Sequence, residues 1–472
     1  MVNWMKELAG HYARMKDKYP EDNLIFIFDI DGTILDTRYV VLYLLQGYDR
    51  KNRTHYFSDL KLEDIKATET DVEKILDGFN IPEDARKHII DYYWEHKWDR
   101  PTIFQSHRSF HGVLEAIRWF IIQPKTFVGL NTGRPEFLRE DTLKSLNALG
   151  KEYRIEFKTQ FLYMHQGDWS WNVQGSKVKG IQYFIEQGFR VIAFIDNEPE
   201  NIESVAEAGF EDILLLHADT FFSSKRKRSF ISGKDYDITK LITEDVIPKE
   251  RVQFIWHGLY TQQDLDKFLS SNIQWAEVDL RYDPVTERIM IRDTDILSAS
   301  RIPQGEHLEL KSLVKKLLSA DRSVKFHIID SETIEPLLMF LRGKNITDTR
   351  MWFHGNAERI EEEGYKKLRS EYPGSTVSAP IDWLEVLLLR MPEKAHEILE
   401  LIASWGINRF SIHAMTPKKE LFMNKMDEWG YEINIFNVEG LVDFLQSLIL
   451  LPRSITSTFN FPEWNEKRKT NS

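Results

Sequence analysis

Leu24–Arg38 reads LIFIFDIDGTILDTR. Five apolar residues run without a break from Leu24 to Phe28, and then Asp29 and Asp31 frame a single Ile before Gly32 and Thr33. An uninterrupted run of this length, rich in Ile and Phe and closed by a glycine turn, predicts a strand buried on both faces of a parallel sheet. Open α/β sheets place their ligands at the carboxyl ends of such strands. Asp29 and Asp31 are two residues apart and share a strand face; at the Gly32 turn both reach one pocket. Two acids held that close repel each other, and Mg²⁺, which prefers oxygen ligands, relieves the repulsion. The plainer alternative is an acidic turn that merely ends a strand.

At 472 residues the chain is too long for one ordinary core, and ~100–200 residues per domain predicts two to four. Hydrophobic content of 42% and charged content of 29% are those of a globular protein. A formal charge of -12 argues against a general nucleic-acid or membrane-surface binder, and no run is long and apolar enough to be a signal peptide or a span. Cysteine is absent, so disulfides, thiolate metal sites and thiol nucleophiles are excluded, in keeping with a reducing cytoplasm, the expected location. Homodimerisation stays open.

Between Arg38 and Phe120 the apolar residues recur at three- and four-residue spacing, so residues 37–110 are expected as a mostly helical insertion directly after the acidic turn, placed to act as a water-excluding lid. Strand and helix then alternate. Thr126–Leu130 predicts a second strand, followed by Asn131, Thr132, Gly133, Arg134 and Pro135, where a hydroxyl, an amide and a guanidinium can grip an anionic oxygen. A Trp-rich loop precedes a helix opened by Ser176, with Lys177 and Lys179 in its first turns. Basic residues there oppose the helix dipole, so one of them requires an anionic partner or both are solvated. RVIAFI at 190–195 ends in Asp196, Asn197 and Glu198, and Asp212–Leu216 predicts the last strand of a Rossmann-like, doubly wound parallel sheet.

These residues carry a resemblance. The D-I-D-G-T at 29–33, the strand ending in Thr132-Gly133, a lysine near 177 and the strand ending in Asp196 resemble, in order, the four motifs of the haloacid dehalogenase-like phosphatases, over roughly residues 24–218. The resemblance implies an Asp29 nucleophile that forms an aspartyl-phosphate and an Asp31 general acid and base. It further implies Thr132 on a phosphoryl oxygen and Lys177 neutralising developing charge, with Lys179 competing for that place. Gly133 and Arg134 are expected beside the substrate, a small phosphorylated molecule. Asp29, the Asp31 carbonyl and Asp196 are implied as Mg²⁺ ligands. Asn197 departs from members that carry a second acid there, and Glu198 or Glu200 is expected to supply it, with Glu200 preferred. The family's cap matches the helical insertion.

Residues 221–250, with SSKRKR at 223–228, are expected as an exposed linker. From Arg251 short strand-like runs alternate with helical ones over the rest of the chain: VQFIWHG, WAEVDLRY, RIMIRD, VKFHIID, MWFHG, STVSAP, INRFSIH and YEINIFN. That beat predicts a (β/α)₈ TIM-like barrel, with a second open sheet as the rival. Glu277 and Asp279 share a strand face and with His257 form a candidate cation site, Arg292 and Asp293 following on the next strand; a satisfied polar cluster is the alternative.

This half resembles the glycerophosphodiester phosphodiesterases over roughly 251–463, more in layout than in identity. The family's opening His-Arg-Gly is His257-Gly258 here, Arg292 stands where its second catalytic histidine is expected, and its metal-binding acid near VKFHIID is missing. An arginine stays charged and exchanges no proton. The expected layout is therefore a catalytic core over 1–36 and 111–220, a cap over 37–110, the linker, and a barrel over 251–472 that binds ligand or supports structure. The leading expectation is a Mg²⁺-dependent phosphatase of small phosphomonoesters. Its rivals are a two-step hydrolase whose barrel first cleaves a phosphodiester, and a non-catalytic sensor or scaffold.

Overall fold

The computed structural model describes residues 3–165, 173–220, 230–241, 251–291, 308–344 and 346–457. The chain divides into two compact units, Met1–Ile247 and Pro248–Ser472.

The first unit is built on a parallel six-stranded sheet: β1 (Leu24–Phe28), β2 (Thr126–Pro135), β3 (Leu162–His165), β4 (Arg190–Asp196), β5 (Leu214–Ala218) and β6 (Ile231–Gly233), in the order β3-β2-β1-β4-β5-β6. Every residue of β1 is buried, as its unalternated sequence demands of a strand covered on both faces. Its register places Phe28 between Leu130 of β2 and Ile195 of β4, so the residues that follow these three share one edge. The order reverses between β1 and β4, and the crevice outside the carboxyl ends of those strands is where such sheets bind ligands. Helix 4–18 covers the sheet through Trp4, Met5, Leu8, Tyr12 and Met15, and the Tyr12 hydroxyl meets the Thr126 hydroxyl at 2.8 Å.

Residues 38–106 form helices at 38–52, 72–76, 83–96 and 100–106, with a hydrophobic core of their own that includes Val41, Leu44, Phe57, Leu76, Ile89 and Tyr93. The loop after helix 38–52 is fixed by Asp49, whose carboxylate accepts from the Thr54 hydroxyl and from the Tyr56 and Phe57 amides. The insertion is therefore a small packed body.

Three expectations need correction here. The second strand runs on through Thr132 to Pro135, with its register shifting between those residues, instead of ending at Leu130. The last helix-to-strand step is offset, β5 starting at Leu214, and it is not the final strand. Of the expected linker, residues 230–241 belong to the first unit: β6 adds an edge strand, and the buried Tyr236 donates its hydroxyl to the Thr33 carbonyl at 2.9 Å. The Trp-rich loop and the basic cluster at 223–228 lie outside the described residues.

The second unit is a closed barrel of eight parallel strands: β7 (Gln253–Trp256), β8 (Trp275–Asp283), β10 (Ser323–Ile328), β11 (Met351–Gly355), β12 (Thr376–Pro380), β13 (Arg409–His413), β14 (Glu432–Val438) and β15 (Ser454–Ser457), the last pairing with the first. The segment β9 (Arg288–Ile291) is not a barrel stave, contrary to the sequence reading of RIMIRD. It pairs antiparallel with the far end of β8, and Ser454–Ser457 supplies the missing eighth strand. The lumen is unusually polar. Ser411, Asn434, Ser454 and Thr456 are buried and linked, with the Asn434 side-chain oxygen Oδ1 accepting from the Ser454 and Thr456 hydroxyls. Buried polar groups persist only when partnered in this way.

Candidate active site

At the reversal of the first sheet Asp29, Asp31, Lys177 and Asp196 come together. The Asp29 amide continues the ladder by donating to the Ile195 carbonyl at 2.9 Å, which holds the side chain at the β1–β4 crevice. Lys177 donates to the Asp29 carboxylate, stands 3.0 Å from Asp196 and donates to the Asn131 carbonyl at 2.6 Å. It reaches this far because helix 173–186 lies tight on β2: a Cβ at Gly180 would stand 2.4 Å from the Asn131 side chain. That amide in turn donates to the Lys177 carbonyl at 2.8 Å. Lys179 is exposed on the other side of the helix and is not part of the cluster.

Asp196 is wholly buried. The Glu198 amide donates to it at 2.8 Å, and Asn201 donates to both of its oxygens at 3.1 Å. Asn197, the departure noted in the sequence, packs against the acidic turn. Its amide group lies where a Cβ on Gly32 would stand, and its oxygen faces the Thr33 hydroxyl at 3.4 Å. Gly32 also has φ of +81°, so its lack of a side chain answers both needs. Of the two acids expected here Glu198 is the more strongly perturbed: burial, then repulsion from Asp196, push it up to about 7. Glu200 sits half-buried in the first turn of helix 199–207, where its charge adds to that repulsion.

Arg134, expected beside a substrate, is engaged within the protein. Its guanidinium is buried and grips Asp31 bidentately, Nε to Oδ2 and Nη2 to Oδ1, each at 2.7 Å. The Thr142 hydroxyl and the face of Trp98 complete its surroundings. Burial acts to raise Asp31, but the Arg134 charge overcomes it and holds the carboxyl below its usual range. Asp29 moves the other way. Burial, with Asp196 and Asp31 repelling, pushes it up to about 8 against the pull of Lys177. Thr132 is buried, its hydroxyl accepting from the Arg134 amide at 3.2 Å with its own proton left to donate. Gly133 lies against Val173, 3.2 Å from where its Cβ would be. The insertion contributes the buried Lys97, 3.8 Å from Glu69 and between the rings of Trp94 and Trp98. Its charge acts on Asp31.

Five acids, Asp29, Asp31, Asp196, Glu198 and Glu69, thus face three buried cations, Lys177, Arg134 and Lys97. That surplus of hard oxygen donors suits a divalent cation, and Asp29, Asp196 and the Asp31 carbonyl fit as its holders.

His107 stands beside this cluster, with Nδ1 on the Ser145 hydroxyl at 2.6 Å and Nε2 at 3.4 Å from Arg134. Burial, and then Arg134, push it down to about 3 from an ordinary 6.5. Below pH 6.5 the unfolded chain therefore binds a proton that the folded chain refuses, and stability is lost as pH falls from 6.5 towards 3. At ~1.4 kcal/mol per pH unit the loss is about 2 kcal/mol at pH 5. Urea titrations of the wild type between pH 7.5 and 5 should show this slope, and His107→Gln should flatten it by about one proton; an unchanged slope in the variant rejects the assignment.

In the second unit the carboxyl ends of the staves hold another polar group. Register pairs Glu277 with Lys325 and Asp279 with His327 across β8 and β10, and His327 with His354 across β11. Lys325 is fully buried, 2.7 Å from Glu277, donates to the Thr456 hydroxyl at 3.1 Å, and lies over the Trp352 ring, whose surface Arg409 shares. One Asp279 oxygen meets His327 at 2.7 Å; the other accepts from the Tyr260 hydroxyl at 2.6 Å and is 3.6 Å from His257. Burial opposes protonation of His257, but Asp279 and Glu277 outweigh it and raise the group to about 9. The structure thus joins His257, Glu277 and Asp279 as expected, and adds Lys325, His327 and His354. The signal for these was in the sequence, where VKFHIID and MWFHG carry a histidine near the end of a strand-like run. Arg292 and Asp293 lie outside the described residues.

No protein-family model matches the chain, and no curated protein matches it. Solved structures match each half separately. A phosphodiesterase from Oleispira antarctica in complex with sn-glycerol-3-phosphate is 14% identical, over 46% of this chain and 95% of its own, at a TM-score of 0.36. A putative phosphatase from Clostridium difficile is 14% identical, over 47% of this chain and all of its own, at 0.33. A haloacid dehalogenase-like hydrolase from Streptococcus pneumoniae is 13% identical, over 45% and 94%, at 0.30. Likeness at such identities concerns fold and carries no chemistry. Among the described residues no helix is long and apolar enough to cross a membrane.

Proposed function

We propose that the first unit hydrolyses small phosphomonoesters by transferring the phosphoryl group to Asp29. The observation that carries this reading is the convergence of Asp29, Asp31, Lys177 and Asp196 at the β1–β4 crevice, with carboxylates in excess of buried cations. Phosphoryl transfer asks for positioning and charge neutralisation more than for covalent ingenuity, and this arrangement supplies both. A bound Mg²⁺, held by Asp29, Asp196 and the Asp31 carbonyl, would neutralise charge on the phosphoryl oxygens.

The chain's own groups account for the rest. An Asp29 oxygen attacks phosphorus, the ester P–O bond breaks, and Asp31 gives its proton to the departing alkoxide, leaving an aspartyl-phosphate. Asp31, now a carboxylate, takes a proton from water as that water attacks the phosphorus, which releases inorganic phosphate and restores both acids. The Thr132 hydroxyl donates to a phosphoryl oxygen, and Lys177, together with the charge a bound Mg²⁺ would add, pulls Asp29 toward the ionised, attacking form against the burial that raises it. Asp31 works as an acid only when protonated, whereas Arg134 favours its anion. Substrate entry and cap movement are therefore expected to loosen the Arg134 grip, through Trp98 and His107 on the insertion side.

Purified protein should release phosphate from members of a phosphomonoester panel with Mg²⁺, lose that activity in EDTA and regain it when Mg²⁺ is returned. Absence of release from every ester, with folded protein, rejects the reading. The scaffold alternative is disfavoured for the first unit because Asp29, Asp31, Thr132 and Asp196 are all present. Location in the cytoplasm and a homodimeric state remain proposals, to be read by fractionation and by sedimentation.

A further inference from the structure

The barrel's likeness to metal-dependent phosphodiesterases implies a divalent cation between Glu277 and Asp279, and the ligand atoms of His257, Glu277 and Asp279 do lie within 4.8 Å of one another. The donor chemistry around them does not fit one. Lys325 is wholly buried, with its ammonium 2.7 Å from Glu277. Both Asp279 oxygens are engaged from inside the protein, by His327 on one side and by the Tyr260 hydroxyl on the other. Among the described residues, two acids therefore face one buried ammonium and the imidazoles of His257 and His327, whereas in the first unit five acids face three buried cations.

A second positive charge beside Lys325 would be repelled by it, and it would have to displace Tyr260 and His327 to reach Asp279. The Lys325 stem cannot withdraw easily, since it packs over Trp352 while its head also holds the Thr456 hydroxyl. The family's missing acid near VKFHIID and this lysine fall in the same short run of sequence.

We infer that the Lys325 ammonium takes the place of the divalent cation in the barrel, and that the barrel mouth binds whatever ligand it takes without a metal. The residues that elsewhere would hold a cation are here tied to a side chain, and metal-assisted diester cleavage is not available to this site. The first unit's metal requirement is a separate matter and stands or falls by its own test.

The experiment uses the full chain with the first site silenced by Asp29→Asn and Asp196→Asn, and titrates Mn²⁺, Ca²⁺ and Zn²⁺ separately by calorimetry and, for Mn²⁺, by electron paramagnetic resonance. No saturable binding that depends on Glu277 is expected at or below about 1 mM. Removing the ammonium with Lys325→Met in the same background should create a site at least tenfold tighter, abolished by Glu277→Gln. Tight divalent binding to the Lys325 protein that Glu277→Gln removes overturns the inference, as does a folded Lys325→Met protein that gains no site. Should Lys325→Met fail to fold, Lys325→Gln replaces it, and the titration of the Lys325 protein against its Glu277→Gln counterpart decides alone.

Discussion

Asp29→Asn should abolish phosphate release, by at least ~10³-fold in kcat, while leaving the first unit as stable as the wild type or more so. The loss follows because an amide cannot attack phosphorus and then leave as a carboxylate in the second step, and no nearby acid occupies the same position: Asp31 is held by Arg134 and Asp196 by Asn201 and the Glu198 amide. The stability half follows from the charge count. Asp29 is buried beside Asp31 and Asp196 and pushed up to about 8, so its charge is a burden on the folded state that Asn lacks. Lys177 would keep Asp196, 3.0 Å away, as its anionic partner. Phosphate release and a thermal melt on the same preparation check both halves. Turnover within tenfold of wild type would remove Asp29 from the role of nucleophile, and a fall in melting temperature would show that the charge count is wrong.

How far the site can be read from sequence differs residue by residue, for physical reasons. β1 was legible because a central parallel strand is apolar on both faces, and nothing but a buried strand uses LIFIF before two acids. The choice of Lys177 over Lys179 was also legible in principle: Lys177, Ile181 and Phe184 recur at helical spacing on the buried face, which leaves Lys179 outside. Arg134 was not. Its partner lies 103 residues away, and whether a guanidinium points at a substrate or at a buried acid depends on the fold between them. The edge strand at 231–233 escaped notice because three residues, Ile-Ser-Gly, bury too little to leave an apolar signature.

The barrel shows the same limits from the other side. RIMI is apolar and reads as a stave, but its pairing direction, antiparallel to β8, is not a property of composition. SITS is polar and reads as a loop. It is a stave all the same, because Ser454 and Thr456 point into a lumen whose Asn434 and Lys325 need partners. A polar lumen reverses the usual apolar-in pattern, and the sequence rule fails where the interior is hydrogen-bonded.

Lys177→Met carries the second large effect, and it should separate from Asp29→Asn by its cost in stability. The ammonium is the only buried cation touching both Asp29 and Asp196 among the described residues, and its methionine replacement fills the volume of the stem without the charge. Breaking a buried ion pair from one side leaves uncompensated charge and costs about 3–5 kcal/mol. Asp29 would then lose the buried partner that pulls it toward the attacking carboxylate and rise further; with the transition-state charge also uncompensated, kcat should fall by ~10³-fold. The double variant Asp29→Asn with Lys177→Met tests the linkage. Removing the acid that lost its partner should return part of the stability, so the two changes together should cost less than the sum of the two single changes. Chemical denaturation of the wild type, both single variants and the double variant measures this directly. Strict additivity would mean that Lys177 stabilises the crevice by some route other than its pairing with Asp29.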